Sequence, residues 1–268
     1  MSRTAATTAV LHILHTNDFH NALRDEGAGR LQAAIAALDG APYLLLDAGD
    51  AIGAGNIGVN PFGEPILDRM SALGYHAMAM GNREFHFLHA ALETKINRAR
   101  FPVLCANVHA RRENAYLPVE PWRWFDVAPN LRVTVFGVTV PMITPRMKVA
   151  AVSSFVFDDP VAAAADLVPT LRKGCDLLVA LTHIGLREDE RLAREVPGID
   201  LIVGGHSHVN LAAPQVVNGT PIVQAGWHAR HYGHVVVTFN GRGNDGRAEI
   251  AEIAEIKGAL HPLQEKRR

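Results

Sequence analysis

The stretch Leu44-Leu45-Leu46-Asp47-Ala48-Gly49-Asp50 is an apolar run, too short for a helix, that stops at small residues and a carboxylate. That is the pattern of a buried strand releasing Asp50 just past its carboxyl end. Four further segments share it: Val10 to Leu14 leads to Asp18 and His20, His76 to Met80 to Asn82, Leu177 to Leu181 to His183, and Ile199 to Val203 to His206 and His208. Each apolar strand delivers an oxygen or an imidazole. In an open α/β sheet, ligands bind in the crevice outside the carboxyl ends of the strands. The endings are therefore expected to converge on one place, with Asp50 at its centre.

Working outward, the first half alternates strand and helix, which argues for an α/β layered fold. Helices are expected over Gly27 to Leu38, Pro65 to Leu73 and His86 to Ala99, with strands at Tyr43 to Asp47 and Val103 to Ala106. The glycine-rich segment from Gly53 to Pro61 reads as a loop over the strand ends, either a substrate-contacting loop or a plain connection. From His109 to Asn130 the period is lost among prolines and tryptophans, before the alternating strand Leu131 to Val140. Trp122 and Trp124 there read as packing residues more than as a stacking platform. Asp158-Asp159-Pro160 is a helix start, and the helix is expected to run to Arg172 or Lys173 despite Pro169. Beyond His208, short runs without helices predict a mostly antiparallel end of the sheet, with Asn218-Gly219 as a hairpin turn. From His261 the chain is polar and is expected to fray.

Composition narrows the classes. With 268 residues and 48% hydrophobic content, one compact domain over residues 1–258 with a charged tail over 259–268 is expected. Lys plus Arg at 26 against Asp plus Glu at 27 leaves no polycation for long nucleic acid or anionic lipid. Cys105 and Cys175 each sit beside a strand-like run and read as free buried thiols. The start lacks a basic region followed by a signal-length apolar block, and no apolar run approaches the ~18 residues that would span a bilayer. A soluble cytoplasmic protein, with no membrane partner, is the expectation. Its oligomeric state is left open.

Fourteen histidines hint at metal, because imidazole is the commonest side-chain metal ligand near neutral pH. The strand endings supply three oxygen donors, Asp18, Asp50 and Asn82, and four imidazoles, His20, His183, His206 and His208. That is too many for one tetrahedral ion. It suits two divalent ions sharing a carboxylate, and mixed nitrogen and oxygen sites accept Mn, Fe or Zn.

Five short segments carry a resemblance: His15-Thr-Asn-Asp18-Phe-His20, Gly49-Asp50, Gly81-Asn82-Arg83-Glu84-Phe85, Thr182-His183 and Gly204-Gly205-His206-Ser207-His208. In this order they resemble the signatures of calcineurin-like metallophosphoesterases, closest to the catalytic domain of bacterial 5'-nucleotidases and UDP-sugar hydrolases. The resemblance covers roughly residues 10 to 240. It implies a single-domain, four-layered α/β/β/α sandwich with a dinuclear metal centre at the strand ends. It further implies that Asp18, His20 and His208 hold one ion, that Asn82, His183 and His206 hold the other, and that Asp50 bridges. The activity implied is hydrolysis of a small phosphorylated substrate by a metal-bridging hydroxide: phosphomonoesters or phosphodiesters, nucleotides among them.

Two departures bear on that activity. The nucleotidase branch reads Gly-Asn-His-Glu-Phe-Asp, its histidine and final aspartate forming a catalytic dyad, whereas here the positions hold Arg83 and His86. The branch also carries a C-terminal base-stacking domain, which this chain is expected to lack. Broad activity with a preference for activated leaving groups is therefore expected, with Arg83 and His86 in the catalytic positions and Arg83 and His228 as substrate contacts. At i and i+3 on a first helical turn, Arg83 and His86 would share a face. His228, His231 and His234 are expected in a loop near the metals, while His12 and His15 read as structural. A second function class remains beside the enzyme, a metal-bearing module that binds a phosphorylated ligand with little or no turnover.

Overall fold

The computed structural model describes residues 9–112, 115–240 and 252–264. Elements are numbered along the chain. The amino-terminal part runs β1 (Ala9–Thr16), α1 (Asp25–Ala36), β2 (Tyr43–Asp47), α2 (Pro65–Ala72), β3 (Ala77–Ala79), α3 (His89–Ile96), β4 (Val103–Leu104) and β5 (Val108–Ala110). The middle adds β6 (Trp122–Ala128), β7 (Leu131–Thr139), β8 (Phe155–Phe157), α4 (Pro160–Leu171), β9 (Leu177–His183), α5 (Leu186–Glu195) and β10 (Leu201–Gly204). The chain closes with β11 (Gln215–Val217), β12 (Thr220–Val223), β13 (His231–Asn240) and β14 (Glu252–Pro262).

Two six-stranded sheets result, in the orders β14-β13-β1-β2-β3-β4 and β11-β12-β10-β9-β7-β6, with β5 and β8 as a separate pair. The strand endings that carry the candidate ligands are thus divided, with β1, β2 and β3 in the first sheet and β9 and β10 in the second. Within each sheet these strands run parallel, so their carboxyl ends point the same way and the site lies where the two sheets' edges of loops meet.

Alternation along the strands builds three apolar layers. Leu44 and Leu46 of β2 pack between the sheets against Val179 and Leu181 of β9. Leu45, pointing the other way, joins Leu31 of α1 and Met70 of α2. On the far side, Leu178 and Ala180 of β9 pack with Val161 and Val168 of α4 and Leu192 of α5. Helix, sheet, sheet, helix is the order of layers, as the resemblance implied. Because both faces of these strands are buried, their sequences read as continuous apolar runs. Burying a large aliphatic side chain stabilises by about 1.5–3 kcal/mol, so the apolar layer between the sheets contributes to holding them together.

Several expectations shift. The expected antiparallel end divides: β11 and β12 extend the second sheet, whereas β13 pairs antiparallel with β1 and β14 in the first. The turn Asn218-Gly219 joins β11 to β12 with φ of 50° and 85°, the paired positive values of a tight hairpin. His231 lies in β13 and not in a loop, His234 lies in the same strand as its place at the head of the apolar run His234 to Phe239 predicts, and His261 and Pro262 pair with Tyr232 and His231 instead of fraying. Of the last short run expected as a strand, 248–255, residues 248–251 lie outside the described residues, as do 265–268 of the expected tail. Helix α4 starts on Asp159, whose side chain accepts from the backbone of Val161 and Ala162 at 3.0 Å, a cap of the usual kind. Trp122 packs onto the outer layer of the second sheet, while Trp124 is half exposed beneath the Arg132 guanidinium. Cys105 and Cys175 are free and buried. Among the described residues, no helix is long and apolar enough to cross a membrane.

Candidate metal centre

The loops leaving the strands bend sharply at the candidate ligands. Asp18 (φ 52°), His20 (47°), Asp50 (57°), His206 (74°) and His208 (59°) all adopt the left-handed region, which Asp, Asn and His enter more readily than other non-glycine residues. Hydrogen bonds between loops hold them there. Asp18 N donates to Gly49 O at 2.9 Å, His20 N to Asp50 O at 3.0 Å, and His206 N to Asp18 Oδ2 at 2.9 Å. Close approach requires two glycines. A Cβ on Gly81 would lie 2.3 Å from Asp50 N, and one on Gly49, whose φ is +90°, would lie 2.7 Å from Gly81 N.

All the candidate ligands meet in one cluster. Asp50 is 4% exposed and divides its oxygens: Oδ1 lies 3.4 Å from His183 Nε2, and Oδ2 lies 3.5 Å from His20 Nε2. On the first side, Asn82 Oδ1 is 3.2 Å from His183 Nε2 and 3.0 Å from His206 Nδ1. On the other, Asp18 Oδ1 is 3.6 Å from His20 Nε2 and 3.3 Å from His208 Nε2. Among the described residues, two groups have ligand atoms within 4.8 Å of one another, Asp18 with His20 and His208, and Asp18 with Asp50 and His183.

Second partners orient these side chains. His183 Nδ1 donates to Ala48 O at 2.7 Å, which turns Nε2 inward, the usual support for a metal-ligating imidazole. Asn17 Nδ2 donates to Asp18 Oδ2 at 2.7 Å. Trp227 stacks on His208 at 5.1 Å and 4°, under the guanidinium of Arg230 at 4.9 Å.

The donor set fits cations. Asp18 Oδ1 and His20 Nε2 are buried without a hydrogen-bond partner, although buried polar atoms rarely go unsatisfied. Burial alone would raise the Asp18 and Asp50 carboxyls, yet neighbouring imidazoles, His20 and His208 for Asp18 and His183 and His20 for Asp50, hold both well below the usual carboxylate range. Burial would likewise lower His183, but Asp50 and Asp18 push it up to about 9. Two concentrated carboxylates thus draw positive charge inward, which divalent ions would supply in place of protons.

Arg83 faces this cluster, its Nε 3.6 Å from Asp50 Oδ2 and its Nη1 donating to Gly53 O at 3.3 Å. His86 does not share a helical face with it. Residues 82–84 form a turn, His86 lies beyond it, and α3 begins only at His89. The His86 Nδ1 accepts from Leu88 N at 3.0 Å, and its ring stacks on Phe87 at 4.5 Å. The helix starts late because Glu84 spends its carboxylate on the neighbouring backbone, accepting from Asp50, Ala51 and Gly81 N at 2.9 Å and from Ile52 N at 3.2 Å. His228 borders the centre, 5.3 Å from the His20 ring, with its backbone N–H on Asp18 O at 2.8 Å. His12 and His15 lie within β1 and away from the ligands, with His12 Nδ1 2.9 Å from His234 Nε2.

Sequence reasoning assigned no role to Gln224. Fully buried, it accepts from Val209 N at 2.6 Å and Ser207 Oγ at 3.1 Å and donates to Gly205 O at 3.0 Å, fixing the loop that carries His206 and His208. Its signal was present: the run Pro221 to Gln224 also ends in a polar residue at a strand's carboxyl end.

Relatives place this geometry in context. A 5'-nucleotidase of Vibrio vulnificus is 31% identical over 88% of this chain and 50% of that protein. The human 5'-nucleotidase is 30% identical over 90% and 48%. The chain spans about half the length of these curated relatives. A crystal structure of a 5'-nucleotidase precursor from Thermus thermophilus superposes with a TM-score of 0.76 at 30% identity, covering 94% of this chain and 54% of that one. The family model of calcineurin-like phosphoesterases matches residues 11–210, the span that delivers Asp18, Asp50, Asn82, His183 and the His206-Ser207-His208 loop, and the chain belongs to that family.

Proposed function

We propose that the chain is a metal-dependent hydrolase of small phosphoesters, working at a centre of two divalent cations. One observation carries this reading. The Asp50 carboxylate turns one oxygen towards His183, beside Asn82 and His206, and the other towards His20, beside Asp18 and His208. Asp50 thus presents one oxygen to each half and is placed to bridge them. When bound, such ions supply Lewis acidity and lower the pKa of bound water. Mn, Fe and Zn all suit the donor set.

The chain's own groups would hold and orient the substrate. Arg83, open to solvent on one side and near Asp50 on the other, would donate to phosphate oxygens as a planar guanidinium. It would stabilise charge there without giving up a proton. His228, on the His20 side, would contact the remainder of the substrate. The relatives' names favour nucleotides within the substrate class.

Metal analysis of purified protein, with a panel of aryl phosphates, phosphodiesters, nucleotides and sugar nucleotides assayed with Mn, Zn, Ni or Co, tests the proposal. Hydrolysis that disappears together with metal content in Asp50→Ala is expected. No turnover of any panel member would sink the hydrolase reading. Phosphate affinity without turnover would support the alternative, a module that only binds phosphorylated ligands.

A further inference from the structure

The fully buried Lys95, in the last turn of α3, belongs to no family signature named above and touches none of the candidate ligands directly. A buried ammonium is costly unless its protons find acceptors. Lys95 Nζ lies 2.6 Å from Arg83 O, 3.0 Å from Phe85 O, 2.8 Å from Gly55 O and 3.5 Å from Asn56 O. The first two carbonyls belong to the turn that presents Asn82 and Arg83. The others belong to the glycine-rich loop. One cation thus ties the two segments together from behind.

What that tie does to the site is visible at Asn56. Its Oδ1 accepts from Asn82 Nδ2 at 3.1 Å. In this arrangement the Asn82 NH₂ is turned outward to Asn56, and the orientation matters because the two ends of the amide differ as donor and acceptor. With Nδ2 held outward, Oδ1 points to the imidazoles at 3.2 and 3.0 Å. A flipped amide would present N–H groups to a cation and could not ligate it. Glu84 ties the same turn to the loop after β2, since it accepts from Gly81 N and from Asp50, Ala51 and Ile52 N.

We propose that Lys95 and Asn56 are positioning residues for Asn82: Lys95 anchors the glycine-rich loop against the Asn82 turn, and Asn56 fixes the amide with its oxygen inward. The inference rests on Asn82 being a metal ligand. Supporting groups of this kind typically change metal affinity by about 10–100-fold.

Calorimetric titration of the metal-free protein with Mn²⁺, without substrate, provides the test. Asn56 is exposed, so Asn56→Ala removes the contact with no cost to the core. It should weaken Mn²⁺ binding by about 10–100-fold, whereas Asn56→Asp, which keeps the acceptor, should bind at least as tightly as the wild type. Lys95→Met should match Asn56→Ala, and the double variant should bind no more weakly than Lys95→Met alone, as expected for two residues acting on one amide. If Lys95→Met does not fold, the Asn56 pair decides. Wild-type affinity in Asn56→Ala would overturn the proposal, as would an equal loss in Asn56→Ala and Asn56→Asp. Asp50→Ala serves as the separate control: unchanged Mn²⁺ binding there would show that the metal reading itself is wrong.

Discussion

Replacing Glu84 by glutamine keeps shape and volume while converting one carboxylate oxygen into an NH₂ donor. In the native site Oε1 accepts from Ala51 N at 2.9 Å and Ile52 N at 3.2 Å, and Oε2 accepts from Asp50 N and Gly81 N, both at 2.9 Å. Whichever way the new amide turns, two of these backbone donors meet another donor. Hydrogen bonds to a charged group contribute about 1.5–3 kcal/mol each, so two losses cost roughly 3–6 kcal/mol. Part is recovered, because Glu84 is fully buried and burial, with Asp50 beside it, raises its pKa above the ordinary value. Removing that strained charge leaves a net loss of about 2–4 kcal/mol. For a chain of this size each kcal/mol moves the melting temperature by about 2–4 °C. Differential scanning calorimetry of metal-free Glu84→Gln should therefore show melting lower by about 5–15 °C. A melting temperature equal to the wild type would refute the view that Glu84 organises the Asp50 and Gly81 backbones.

Two other perturbations probe different parts of the molecule. His15 is buried and held neutral, its pKa pushed down to about 3 by burial and then by His234. Below pH 6.5 the unfolded chain takes up a proton that the folded one refuses, so stability falls by up to about 1.4 kcal/mol per pH unit down to about pH 3 and is unaffected by this group above pH 7. Urea melts at pH 7 and pH 4.5 should show a smaller acid loss in His15→Leu than in the wild type, and equal losses would assign the acid sensitivity elsewhere. For Arg83, loss of a charge-assisted contact predicts about 10–100-fold weaker inhibition by inorganic phosphate in Arg83→Ala. Lacking a general acid at this position, the native protein should favour aryl over alkyl phosphates by about 10²–10⁴-fold. Equal rates on both esters, with Arg83→Ala unchanged, would place Arg83 outside the chemistry.

Local features were legible in the sequence. The strand Tyr43–Asp47 and the turn Asn218-Gly219 lie where the residue pattern puts them, because short-range patterning and turn chemistry decide both. Helix α5 escaped attention since Leu186–Glu195 is mostly charged. Its buried residues are only Asp189, Leu192 and Ala193, too few to read as an apolar stripe. Division into two sheets was not readable from strand composition either. The pairing of Ala9 with Phe239 and of Leu14 with His234 joins opposite ends of the chain, and an apolar run carries no record of which distant run lies beside it. His86 was misplaced for a related reason: a helix start was expected where a side chain three residues from Gly81 instead captures the backbone donors.

The candidate ligands themselves were legible because each ends an apolar run, but their conformations were not. Asp18, His20, Asp50, His206 and His208 share positive φ values, and such strained residues, at about 1–3 kcal/mol each, persist only where the surroundings over-determine them. The surroundings here are the other ligand loops. Asp18 rests on Gly49, His20 on Asp50 and His206 on Asp18, while His228 closes back onto Asp18. Each loop is thus part of the scaffold for the next. The order of strands and the chemistry of their ends bring these residues to one place, but it is their mutual support through these loop contacts that keeps the donors of the two sheets facing inward.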